Sequence, residues 1–108
     1  MNENSIVLSS GNVFADLGIE QPEEALVKAQ LVSRLADIIE ERGMTQMQAA
    51  SILGITQLKV SALLRGHFDG FSLERLFRLL IALDTDITIT MKPKSEERGR
   101  LRVVTAGA

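Results

Sequence analysis

The feature that most constrains this chain is one glycine, Gly54, set between two short runs of helical pattern in TQMQAASILGITQLKVSALLRG, residues 45–66. Thr45 can cap a helix start with its hydroxyl while Gln48, three residues on, reaches back to the cap's own amide, so a capping box starts a helix near Gln46. Ala49, Ala50 and Leu53 share one face of that helix, and the small Ala50 leaves room for a second helix to cross closely. Gly54 then ends it, because a left-handed cap costs glycine almost nothing. Ile55 is expected to turn into the core, Thr56 to cap the next helix and Gly66 to close it. Val60, Leu63 and Leu64 make the apolar stripe of this second helix, which leaves Gln57, Leu58, Lys59, Ser61 and Ala62 facing elsewhere. Two short helices joined at a steep angle by a glycine-containing turn put the second one forward, where it can enter a DNA major groove about 12 Å wide.

Through Gln46, Ala50, Gly54, Ile55, Val60, Leu63 and the terminal Arg65-Gly66, the stretch resembles the XRE family of helix-turn-helix proteins, to which the lambda and Cro repressors belong. The resemblance spans about residues 10–94. The upstream phrase Ser10-Gly11-Asn12-Val13-Phe14-Ala15-Asp16-Leu17-Gly18 and the downstream Asp86-Ile87-Thr88-Ile89-Thr90-Met91-Lys92-Pro93 look like a small subgroup containing HigA-like antitoxins of toxin-antitoxin pairs. It implies an all-α, lambda-repressor-like bundle of about five helices with a short C-terminal β-strand, and a role in gene control. The antitoxin label is analogy.

Composition bounds the alternatives. With 45% hydrophobic and 24% charged residues, the 108-residue chain reads as one globular domain able to bury one modest core. It holds no cysteine, which excludes disulfides and thiolate metal sites. No apolar run approaches the roughly 20 residues needed to cross a bilayer. The first ten residues lack the charged and apolar regions of a signal peptide, so a cytoplasmic location is the expectation. The net charge of −2 is sorted along the chain: residues 1–44 hold eight acids and three bases, and residues 45–68 hold Lys59 and Arg65 with no acid. Residues 69–91 hold four acids and two bases, and residues 92–108 five bases and two acids. The recognition segment is thus an acid-free island, which a phosphate backbone tolerates. So few cations neutralise few phosphates per copy, so useful affinity calls for a homodimer on a two-part site.

Residues 1–20 read as a partly disordered N-terminal arm with short apolar pieces at 6–8 and 13–17, residues 21–92 as the helix-turn-helix domain with its C-terminal strand, and residues 93–108 as a flexible basic tail. Pro22 followed by Glu23 and Glu24 suits the first turn of a helix that runs to about Arg42, with Leu31, Val32, Leu35, Ala36, Ile38 and Ile39 on one wide apolar face. Ser72 caps a further helix over residues 73–83, with Phe71 and Leu76 placed as a hydrophobic staple. Leu73, Leu76, Phe77, Leu80 and Leu83 are expected inward, with Leu79 and Ile81 partly spare for a partner. Residues 86–92 alternate, with Ile87, Ile89 and Met91 on one side. A lone strand must pair with the Val13 region, with its twin in another protomer or with a bound protein; the twin is favoured.

Gln57, Leu58, Lys59, Ser61 and Ala62 are the candidate base-edge residues, and Gln57 stands out because a glutamine offers adenine a donor and an acceptor together. Leu58 and Ala62 touch only thymine methyls or sugars, so the sequence read is short or weakly specified; the plain alternative is a solvent-facing helix. Gln46, Thr56, Lys59, Arg65 and His67 are the candidate phosphate contacts, with an ion pair to Asp69 the ordinary alternative for Arg65. Thr45, Ala50, Gly54, Ile55, Val60 and Leu63 are structural. His67 is the only histidine, and no paired carboxylates, cysteine or second histidine gather round it, so neither a metal, a cofactor nor catalysis is expected. The expected function is a DNA-binding repressor, with a small basic RNase toxin as a further partner if the antitoxin analogy holds. The rival is a protein-interaction adaptor that keeps the shape without reading DNA.

Overall fold

The structure, a computed structural model, describes residues 21–93 and 99–106. The N-terminal arm, including the phrase at residues 10–18, lies outside them. Four helices follow in order: α1, Gln21–Glu41; α2, Gln46–Leu53; α3, Gln57–Leu64; α4, Leu73–Ala82. The all-α class and the four helix positions follow the sequence pattern, whereas the expected count of about five becomes four among the described residues.

α1 presents Val27, Leu31, Val32, Leu35, Ile38 and Ile39 to the interior, a stripe at helical spacing that packs chiefly on α4 and also on α3. From the other side the core receives Ala49, Leu53, Val60, Leu63, Phe71, Leu73, Leu76, Leu79, Leu80 and Leu83. No polar or charged residue is buried among the described residues, so burial carries no desolvated charge to offset it. Leu79 departs from expectation: it is buried, because α4 packs on α1 and also on α2, and only Ile81 stays outward.

Helix ends are closed by local chemistry. Ser72 Oγ accepts the Arg75 amide at 3.1 Å, and Phe71 and Leu76 on either side of the cap are both buried, as a staple requires. At the far end of α4 the Asp84 amide donates to the Ile81 carbonyl at 2.9 Å and the Thr85 amide to the Leu80 carbonyl at 3.1 Å, a Schellman closure that places Asp84 at φ 63°. Arg42, just past α1, ties the two helix ends together: Nη2 donates to the Leu83 carbonyl at 2.6 Å and Nη1 lies 3.6 Å from Asp84 Oδ2.

Residues 86–92, expected as a strand, form none. A strand needs a ladder partner for its amides and carbonyls, and the single chain supplies no such partner among the described residues. Ile87 packs half-buried on the core, so the three apolar residues do not share one free face; Ile89 and Met91 remain exposed. The tail expected to be mobile contributes residues 99–106 to the surface of α1. The Leu101 amide donates to Glu23 Oε2 at 2.6 Å, and Leu101 and Val103 lie half-buried on the core.

Candidate nucleic-acid interface

The capping box at the start of α2 is complete: Thr45 Oγ1 accepts the Gln48 amide at 3.1 Å, and the Thr45 amide donates to Gln48 Oε1 at 2.9 Å. α2 ends at Gly54, whose φ of 71° is left-handed. A Cβ there would meet nothing within 4 Å, so glycine is demanded by backbone conformation and not by space. This turn bends the chain by 110° between α2 and α3. Thr56 then caps α3, its Oγ1 accepting the Lys59 amide at 3.1 Å. That leaves the earliest amides of α3 with no intrahelical acceptor, at the positive end of the helix dipole.

α3 divides cleanly front from back. Val60 and Leu63 are 1% and 2% exposed and anchor it, with Leu64 half-buried beside them. Thr56, Gln57, Leu58 and Lys59 are all exposed, Leu58 to 75%. Ser61 and Ala62, expected with them, are half-buried and stand lower on the flank. Of the expected phosphate contacts, Thr56, Lys59, Arg65 and His67 are exposed and Gln46 is half-buried. Arg65 makes no ion pair with Asp69; its Nη1 donates instead to Ser61 Oγ at 2.6 Å, one turn back along α3. That contact was missed in the sequence, although the i,i+4 spacing of a serine and an arginine on a helix would have shown it. Of the expected structural residues, Val60 and Leu63 are buried, Ala50 and Ile55 are half-buried on the core, and Thr45 and Gly54 act through the backbone.

The charge of this face is uncompensated. Ion pairs among the described residues join Glu24 to Lys28, Arg34 to Glu41, Arg42 to Asp84 and Glu74 to Arg78, all outside α2 and α3. Arg75 stacks on the Phe71 ring at 4.5 Å. A shallow surface depression of about 360 Å³ is lined by Gln30, Ser33, Arg34, Asp37, Val103 and Thr105. No group of three or more histidine, aspartate or glutamate residues stands close enough to hold a metal among the described residues. No single helix among them is long and apolar enough to cross a membrane.

A short helix anchored by two buried residues, crossing its predecessor at 110° and fronted by exposed polar side chains, defines a helix-turn-helix protein. A family profile described as a helix-turn-helix domain matches residues 13–92. A solved chain described as an XRE family transcriptional regulator is 43% identical, with a TM-score of 0.73, over 81% of this chain and 100% of that one. No curated protein sequence matches. The chain belongs to the XRE family of helix-turn-helix proteins.

Proposed function

We propose that this protein is a sequence-specific, DNA-binding transcriptional repressor that lays α3 in the major groove and acts as a homodimer on a two-part operator. The observation that carries the reading is the polarity of α3, buried at Val60 and Leu63 and exposed over residues 56–59. Behind it stand the family match and the described role of the 43% identical relative. Occupying an operator blocks a promoter sterically, so the action needs no catalytic step. The antitoxin version rests on resemblance alone, half of it in residues 10–18 outside the described ones, and the repressor reading does not need it.

Gln57 is the sharpest base reader in this scheme, exposed in the first turn of α3. Gln57→Ala is expected to lower discrimination between operator and random DNA by about 1–3 kcal/mol in a competition gel shift. Binding should also fall linearly with salt on a log-log plot, by a slope of about −0.9 per phosphate neutralised. A protein that leaves DNA unbound, and instead holds a protein partner through apolar contact such as Leu58 with little dependence on salt, would be the adaptor.

A further inference from the structure

The geometry points to Arg65 as a guanine-reading residue of the recognition face, with Ser61 as the residue that positions it. The inference rests on the DNA-binding reading above and reassigns Arg65 from the phosphate backbone to a base edge.

Three observations carry it. First, the Arg65 Nη1 donates to Ser61 Oγ at 2.6 Å, so the guanidinium is folded back over α3 and does not trail from its end. Helical side chains lean toward the N-terminus, which brings this group one turn back, into line with Gln57 and Ser61 at four-residue spacing. Its reach therefore runs along the flank of α3 beside Ser61 and toward the exposed first turn at Gln57. Second, the holding partner is a neutral hydroxyl. A carboxylate would neutralise the charge and occupy both arms of the fork; the serine takes one of five donors and leaves the rest for the paired acceptors, O6 and N7, that guanine alone presents in the major groove. Arg34, Arg42 and Arg78 are each paired with an acid, and Arg65 is not. Third, Ser61 is half-buried on a helix anchored by Val60 and Leu63, so the pin sits on a rigid element. A pre-set arginine loses less rotamer freedom on binding than a free one, and this favours oriented readout over a diffuse charge contact.

The test selects binding sites from a randomised DNA library with the full-length protein and repeats the selection with Arg65→Lys, Arg65→Ala and Ser61→Ala, circular dichroism confirming the fold of each. The wild type is expected to prefer guanine at one position per half-site. Arg65→Lys keeps the charge but loses the fork, so that preference should fall roughly 5- to 150-fold while the other positions and the salt slope stay unchanged. Ser61→Ala should weaken the same preference, and Ser61→Thr, which keeps the hydroxyl, should restore it. The inference is overturned if Arg65→Lys retains every base preference, or if Arg65→Ala lowers the salt slope by about one contact with specificity intact, the signature of a phosphate contact. A wild-type protein that selects no sequence at all would overturn the repressor reading as well, so the two failures are distinct.

Discussion

Leu58 and Leu63 sit five positions apart on one two-turn helix and have opposite surroundings, the first 75% and the second 2% exposed. Leu63→Ala removes a buried isobutyl group from the contact of α3 with the core, and chemical denaturation should show a loss of about 2–5 kcal/mol. Leu58→Ser should move stability by no more than about 0.5 kcal/mol in the same measurement while changing DNA binding. A Leu58 variant that unfolds the protein would mean that α3 is covered on its front. The division between these two leucines was legible from spacing alone, because a helix flanked by a capping threonine and a closing glycine fixes the phase of its apolar stripe. Leu79 was not legible. Its helix is apolar on more than one side, and no spacing reveals that two neighbouring helices cover both flanks. Ser61 and Ala62 fall off the stripe and so read as part of the front and outer face, but the edge of the stripe is set by how closely α3 leans on its neighbours.

Among elements, the turns were the most readable parts, since each depends on a few adjacent residues. The capping box at Thr45, the left-handed Gly54 and the Ser72 cap all stand where their residue types require. The closure of α4 is the exception, with an aspartate where the other closures use glycine. Asp84 holds φ 63° at a cost that glycine would not incur, and its compensation is an ion pair with Arg42 whose partners are 42% and 84% exposed. Exposed pairs of this kind contribute little, about 0–1 kcal/mol, whereas a non-glycine residue in the left-handed region costs about 1–2 kcal/mol. Asp84→Gly should therefore leave stability unchanged or raise it by about 1 kcal/mol, read as a rise in Tm, with the Arg42 bond to the Leu83 carbonyl intact. A clear fall in Tm would show that the Arg42–Asp84 pair fixes the α1–α4 junction.

At the scale of the whole molecule, what remains is surface that one chain does not use. Residues 86–92 have the alternation of a strand but form none, because no segment among the described residues supplies a ladder partner: the pattern was legible, and the pairing was not. Ile89 and Met91 are 70% and 89% exposed, and Ile81 on α4 is exposed as well. In a two-fold dimer the same patch serves both protomers, so each substitution counts twice. Burying one such side chain contributes about 1.5–3 kcal/mol, and the double variant Ile89→Glu, Met91→Glu should raise the dimer dissociation constant at least roughly tenfold in analytical ultracentrifugation. Because both positions are exposed in the single chain, the monomer's own unfolding should be unchanged. Operator affinity should fall with the dimer, since each protomer's α2–α3 segment carries only Lys59 and Arg65 as cations and a half-site alone holds few phosphates. A variant that stays dimeric would move the interface elsewhere, and a wild type that stays monomeric at every concentration, yet binds its operator tightly, would remove the need for a two-part site.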